Sequence, residues 1–235
     1  MDSLRVKIFA DGADLAALRA VAALPFVRGF TTNAGLMRRA GVRDYRAFAD
    51  ELLTLAGERC VSFAVTSADL DEMERAARAI SGWGEHVYVK IPITTAHGAS
   101  TLEVVRRLSG SGTRVNVTCV FTDEQIARAA AALRGGAPSF ISVLAGRVAD
   151  TGRDPVPQMR AAVESLAQSP EIELMWASPR EVLNVVQADQ VGCHVITATT
   201  DLLAKLPALG RELEAFSLET IRSLDDDAAR AGYRV

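Results

Sequence analysis

The chain is poor in cysteine, poor in lysine and without any excess of positive charge. Its three cysteines, Cys60, Cys119 and Cys193, stand far apart, each in or beside an apolar run. An odd number of scattered thiols argues against a disulfide framework or a zinc site and fits a reducing cytoplasm. Asp and Glu (29) outnumber Lys and Arg (26), for a net charge of −3 and a pI near 5.7. Nucleic acid and anionic membrane surfaces, which call for a basic excess, are therefore not expected partners. No run approaches the roughly 20 apolar residues that span a bilayer. The opening MDSLRVKIFADG lacks the basic-then-apolar pattern of a secretory leader. His86, His97 and His194 show no metal-ligand spacing, and Asp11-Gly12-Ala13-Asp14 lacks the spaced glycines of a nucleotide loop.

The lysine shortage is informative in itself. Of 26 basic residues only Lys7, Lys90 and Lys205 are lysine. Arginine has taken the positions where a charge suffices. It cannot act as an amine, because it stays protonated at any physiological pH. A surviving lysine is thus a candidate for amine chemistry.

What is present is an ordinary core-forming composition, 49% apolar and 23% charged. Eight short apolar runs recur: Val6–Ala10, Gly29–Thr32, Val61–Val65, Val87–Ile91, Val115–Phe121, Phe140–Ala145, Ile172–Ala177 and His194–Ala198. Helical signals lie between most of them, over Asp44–Leu55, Asp69–Ile80, Ser100–Leu108, Thr122–Leu133, Pro157–Leu166 and Pro179–Ala188, with Asp14 capping a helix from Leu15. Strand–helix alternation of this kind predicts an α/β fold with a parallel sheet. Eight units in this length predict a single (β/α)₈ TIM barrel. Nothing resembling a linker divides residues 1–235, so one domain is expected, with a C-terminal helical segment from about 207 to 235. In that segment Leu209, Leu213, Phe216 and Leu224 fall near one stripe, and Leu218 falls on the other side. The segment either packs on the barrel or joins subunits.

Strand periodicity supports the barrel. Tyr88 and Lys90 share one parity in Val87–Ile91, Asn116 and Thr118 one parity in the next strand, and Phe140, Ser142 and Leu144 one in the sixth; Leu174, Trp176 and Ser178 share a face of the seventh. A doubly wound sheet calls for continuously apolar faces. Polar residues on one parity suit a lumen whose C-terminal end is a reaction chamber.

Lys90 stands among Val87, Val89, Ile91 and Pro92, where an ammonium is costly to desolvate. In its uncharged form it is a nucleophile able to form a Schiff base. The plain alternative is a lysine paired with a lumen carboxylate or snorkelling at a strand end. Asp11 ends the first strand, where a turn aspartate is ordinary. Asn33, after Thr31 and Thr32, is either a loop cap or a polar contact for substrate. Asn116 and Thr118 could simply hydrogen-bond inside the lumen, since buried polar groups must find partners. Arg147 and Arg180 follow strands by a few residues and suit either phosphate binding or surface ion pairs.

Taken together, Phe9-Ala10-Asp11, Gly29-Phe30-Thr31-Thr32-Asn33, Val87-Tyr88-Val89-Lys90-Ile91-Pro92, Val115-Asn116-Val117-Thr118, Ser142-Val143-Leu144-Ala145-Gly146-Arg147 and Ala177-Ser178-Pro179-Arg180 resemble the transaldolase family, in its short branch with fructose-6-phosphate aldolase. The resemblance covers nearly the whole chain, in order. It implies a barrel without metal or organic cofactor, and Lys90 as the Schiff-base lysine. It implies Asp11 as acid/base at the hydroxyl next to the broken C–C bond, and Thr118 as holder of a proton-relaying water. Thr32, Asn33, Asn116 and Ser142 would contact the substrate, and Arg147, Ser178 and Arg180 would hold its phosphate. The implied partners are a ketose phosphate donor, an aldose phosphate acceptor and further copies of the chain in a homo-oligomer. The sequence departs from the family at two positions. Ala64 stands where Glu or Gln is usual, leaving Thr118 to order the water alone or with another group such as Tyr88. Leu144 stands where transaldolases carry Phe and the aldolase branch Tyr, and the absence of that Tyr points toward transfer rather than release. The alternatives are an aldolase releasing dihydroxyacetone, a transaldolase of a specialised sugar pathway, and a sugar-phosphate-binding barrel without chemistry.

Overall fold

The computed structural model describes residues 4–233; the ends of the expected domain and of its terminal helical segment, 1–3 and 234–235, lie outside the described residues. The chain forms two compact units, Met1–Ala204 and Lys205–Val235.

The first unit is a closed barrel of eight parallel strands in chain order, each hydrogen-bonded to the next and the last to the first. It runs β1 (Lys7–Asp11), α1 (Leu15–Ala22), β2 (Val27–Thr31), α2 (Ala34–Arg39), α3 (Tyr45–Ala56), β3 (Cys60–Ala64), α4 (Leu70–Ser81), β4 (Val87–Pro92), α5 (Leu102–Gly110), β5 (Val115–Val120), α6 (Asp123–Leu133), β6 (Ser139–Val143), α7 (Ala145–Ala149), α8 (Val156–Leu166), β7 (Ile172–Ala177), α9 (Leu183–Gln190), β8 (Val195–Thr199) and α10 (Thr200–Leu203). Several of the helices start where short polar side chains take up their free N–H groups. Asp14, Asp44 and Asp69 cap α1, α3 and α4, and Thr122 with Gln125 closes a reciprocal capping box on α6. One parity of each strand meets the helices: Phe30, Phe63, Val89, Val117, Ile141, Leu174 and Ile196 are all buried, against such helix residues as Leu52, Met73, Leu108, Leu133 and Met159. This hydrocarbon shell supplies the main stabilising term.

The other parity fills the lumen. Its lower layer is aromatic and aliphatic, formed by Phe9, Tyr88, Phe140, Met175 and Val195. Tyr88 stacks on Phe140 at 4.2 Å between ring centroids, and Phe9 meets Phe140 edge-on at 5.8 Å. Gly29 makes room for this layer, since a Cβ there would lie 2.6 Å from the Phe9 ring. The seventh strand departs from the expected face. Met175, not Leu174 or Trp176, belongs to the lumen cluster. Ser178 lies beyond the strand with φ at +59°, so alternation no longer governs it. α9 also starts four residues after Pro179, because the Asn184 side chain accepts from the N–H groups of Arg180 and Glu181 and holds them in a turn.

The second unit holds a 3₁₀ turn (Leu206–Ala208) and α11 (Leu213–Ala231). Glu212 caps α11 through bonds from Glu214 N and Ala215 N, and Gly232 ends it with φ at +72°. Leu209 lies before the helix, cut off from the expected stripe by Gly210 at φ +76°. No residue of α11 is buried. Among the described residues no helix is long and apolar enough to cross a membrane.

Candidate active site

Above the aromatic layer the lumen turns polar, and its side chains bond from strand to strand. Two of these bonds, Asn116 to Ser62 and Thr31 to Thr197, skip an intervening strand and can only form inside the barrel. Asn116 on β5 donates through Nδ2 to Ser62 Oγ on β3, at 3.1 Å. Its Oδ1 accepts from Ser142 Oγ on β6, at 2.7 Å. Thr31 Oγ1 on β2 lies 2.6 Å from Thr197 Oγ1 on β8, and donates to Asp11 Oδ1 at 2.7 Å. Lys90, from the middle of β4, is 9% exposed. Its Nζ donates to the Thr32 carbonyl at 3.3 Å, its one hydrogen bond among the described residues. Thr32 itself is fully buried, and its hydroxyl has no partner among the described residues.

The amine and the carboxyl share one field. Burial raises the Asp11 carboxyl above its ordinary value, and Lys90, the Thr31 hydroxyl and Arg39 pull it partly back. A recess of about 300 Å³ opens beside Asp11, lined also by Arg39, Asp14, Thr199 and Asp201. Thr118 ends the polar parity of β5 next to Pro92 and is nearly buried; its backbone carbonyl accepts from Ile93 N at 2.9 Å. Asn33 is the cap of α2, its Oδ1 accepting from Leu36 N at 3.0 Å, so the loop-capping reading describes one end of its amide.

The basic residues gather on the β6–β7 side of the rim. Arg147 is exposed on α7. Arg180 forms a two-point pair with Asp150, with Nε 3.0 Å from Oδ1 and a second contact from Nη2 to Oδ2. Gly146, opening α7, packs directly on the Ser178 backbone: a Cβ there would lie 1.5 Å from the Ser178 carbonyl oxygen. Arg147, Ser178 and Arg180 are thereby brought to one patch, although Arg180 is also an ion-pair partner, as the plain reading expects.

Tyr88 does not reach this chamber. It lies in the aromatic layer below Lys90, with the Arg114 guanidinium over its ring, and burial pushes its hydroxyl up to about 12. Near Ala64 the structure offers a different hydroxyl, that of Tyr45, but it is spent on the Ala64 carbonyl at 2.9 Å. Ser62, Thr31, Thr197 and Arg39 are lumen or rim groups that the sequence reading did not single out. Ser62 had a legible signal, since it shares the parity of Cys60 and Ala64. Thr197 could be found only by extending the parity argument to the eighth strand. Among the described residues, no group of three or more His, Cys, Asp or Glu side chains is arranged to hold a metal ion.

A family model for transaldolase/fructose-6-phosphate aldolase matches residues 8–235. The chain belongs to the transaldolase/fructose-6-phosphate aldolase family. Its similar relatives are named probable transaldolases. One from Streptococcus equi subsp. zooepidemicus is 33% identical over 204 residues, covering 86% of this chain and 90% of the relative. Another, from Herpetosiphon aurantiacus, is 32% identical over 221 residues, covering 91% and 94%. Solved structures share the fold at low identity. KGPDC from Streptococcus mutans in complex with D-R5P superposes with a TM-score of 0.55 at 11% identity, over 83% of this chain and 88% of that one. N-acetylneuraminate lyase from Mycoplasma synoviae gives 0.55 at 10% identity, over 94% and 78%. The transaldolase-type motifs read along the sequence lie on the strands and strand ends that surround the polar lumen.

Proposed function

We propose that this transaldolase-family chain transfers a dihydroxyacetone unit from a ketose phosphate to an aldose phosphate through a Schiff base on Lys90. The observation that carries the reading is an amine enclosed in a barrel lumen, with a carboxyl and an ordered amide–hydroxyl network on the strands around it.

Uncharged Lys90 Nζ attacks the C2 carbonyl of the donor. Loss of water leaves an iminium, which draws electrons from the adjoining carbon. Asp11 takes the proton of the C4 hydroxyl. The C3–C4 pair moves into the iminium, an aldose phosphate leaves, and an enamine of dihydroxyacetone stays on Lys90. An acceptor aldose phosphate enters, the enamine carbon attacks its carbonyl, and Asp11 returns the proton to the new hydroxyl. Water then releases the product ketose. Thr118 holds the water that carries protons in these steps. Asn116 suits a hydroxyl-holding role: Ser62 takes one Nδ2 proton and Ser142 fixes Oδ1, so the other Nδ2 proton is aimed by the network. Thr32, Asn33 and Ser142 complete the contacts to the donor. Arg147, Ser178 and Arg180 hold the phosphate at the rim, with Asp150 yielding Arg180 to it. Enclosure shields the enamine from water.

The rest of the reading concerns setting. All three cysteines are free, which supports a reducing cytoplasm. α11, with Leu213 78% and Leu224 64% exposed, supports a homo-oligomer in which one barrel domain carries the whole site.

Borohydride reduction in the presence of fructose 6-phosphate tests the central step. The expected result is a dihydroxyacetone adduct on Lys90 in intact-protein mass, absent from Lys90→Met, with turnover lost by at least about 10³-fold. Coupled assays with and without an acceptor aldose then separate transfer from release. Undiminished turnover in Lys90→Met would remove the proposal.

A further inference from the structure

Asp11 ends β1 with one carboxyl oxygen already engaged. Oδ1 accepts from Thr31 Oγ1 at 2.7 Å, the one side-chain bond to Asp11 among the described residues. The same Thr31 oxygen lies 2.6 Å from Thr197 Oγ1. Thr31 is fully buried and Thr197 nearly so, so water does not compete for these bonds. A hydroxyl has one proton to give. An ionised carboxylate can only accept, so Thr31 gives its proton to Asp11 and must accept from Thr197. The two bonds therefore run in one direction, from β8 through β2 to the end of β1. Each bond polarises the next, and the second donor strengthens the first.

The geometry points to Thr197 as a positioning residue of the reaction: acting through Thr31, it anchors Asp11 Oδ1 and leaves Oδ2 as the oxygen that takes and returns the substrate proton. The inference rests on the proposed role of Asp11 in C–C cleavage. A carboxyl free to rotate about its terminal torsion presents either oxygen, at varying angles. One held at Oδ1 by a buried, directed pair presents the same oxygen at each turnover. The proton balance is simple. Oδ2 receives the C4-hydroxyl proton as the C3–C4 electrons enter the iminium, and gives it up to the oxygen of the acceptor's former carbonyl. Among the described residues Thr197 has no side-chain hydrogen bond to Lys90, whose Nζ bonds to the Thr32 carbonyl. The charged groups facing Asp11 are Lys90 from β4 and Arg39 from α2, with Asp14 and Asp201 lining the recess beside it. None of the four is hydrogen-bonded to the carboxyl, so none replaces the threonine pair.

The test compares Thr197→Val, which keeps the shape without the hydroxyl, with Thr197→Ser, which keeps the hydroxyl without the methyl. Two readouts are needed. Borohydride trapping of added dihydroxyacetone on Lys90 requires no C–C cleavage. The kcat for fructose 6-phosphate cleavage across pH requires Asp11 as a base. Both variants are expected to trap dihydroxyacetone as the wild type does. Thr197→Val is expected to lose about tenfold in kcat. Its acidic limb moves to higher pH, because a carboxylate with a weakened donor holds its proton more tightly. Thr197→Ser restores both rate and limb. Should Thr197→Val fail to fold, Thr197→Ala carries the same comparison. The inference alone is overturned if the hydroxyl-free variant matches the wild type in rate and profile, or if Thr197→Ser is impaired as much. Absence of any adduct on wild-type Lys90 overturns the Schiff-base reading, and this inference with it.

Discussion

Asp11 illustrates the conflict between folding and the proposed chemistry at a single residue. Burial disfavours its charged form more than Lys90, Thr31 and Arg39 favour it, so its folded pKa lies above the unfolded value of 3.8. As pH rises, the unfolded chain releases this proton first. Stability therefore falls as pH climbs from the unfolded toward the folded value, and the full cost is present above the latter. Asp11→Asn removes that cost and keeps an oxygen for the Thr31 donor. The expected outcome is a thermal midpoint raised by a few degrees at pH 7, an advantage that disappears below about pH 4, together with a loss of about 10²–10⁴-fold in cleavage. Melting curves at the two pH values check the stability half; a variant no more stable than the wild type at pH 7 would count against it. Legibility at this scale was uneven. Lys90 could be found from composition and parity, because a lysine amid valines is rare and the chain has so few lysines. Asp11 alone looks like any turn aspartate, and only the full set of motifs suggests the role proposed for it. The Ser62 and Thr197 hydroxyls matter through bonds between distant strands, which no local pattern encodes.

At the scale of elements, α7 and the β7–α9 turn form one unit through a contact between backbones. Gly146 admits the Ser178 carbonyl where any side chain would stand. Ser178 itself is held left-handed, at φ +59°. Backbone cannot swing aside as a flexible side chain would, so Gly146→Ala must push the helix and the turn apart. A cost of about 1–3 kcal/mol or more is expected by denaturant unfolding. Because Arg147 and Arg180 stand on the two separated pieces, the KM for phosphorylated substrates should also rise, while trapping of unphosphorylated dihydroxyacetone on Lys90 stays intact. Equal effects on both would show that the contact supports the whole barrel rather than its phosphate rim. The long barrel helices and all eight strands are legible as periodic segments, with polar caps at the starts of α1, α3, α4 and α6. The short helices α2, α7 and α10 are not, for they have four to six residues and too little periodicity to register. The sequence pattern starts α9 too early because the Asn184 side chain acts backward along the chain, on Arg180 and Glu181.

For the whole molecule, barrel closure follows from the sequence, since eight half-polar strands have no other economical way to hide both faces. The C-terminal unit does not explain itself in the same way. α11 is 19 residues long and buries none of them, with Leu213, Phe216, Ile221 and Leu224 exposed on a broad face. Isolated helices of about 12–15 residues are marginal in water, and helix stability in proteins comes chiefly from a packed apolar face. A helix with so exposed an apolar face calls for a partner, and further copies of the chain are the occupant proposed above. Replacing Leu213 and Leu224 together by glutamate, which places two charges in that face, should reduce the assembly to smaller species in sedimentation velocity at micromolar protein. Helix-breaking is not the cause in such a variant, because glutamate is a good helix former. Dihydroxyacetone trapping on Lys90 should survive, since every group in the proposed chemistry lies within the barrel unit. A wild-type chain that sediments as a monomer at the same concentration, with α11 helical, would end the assembly reading and leave the chemistry untouched.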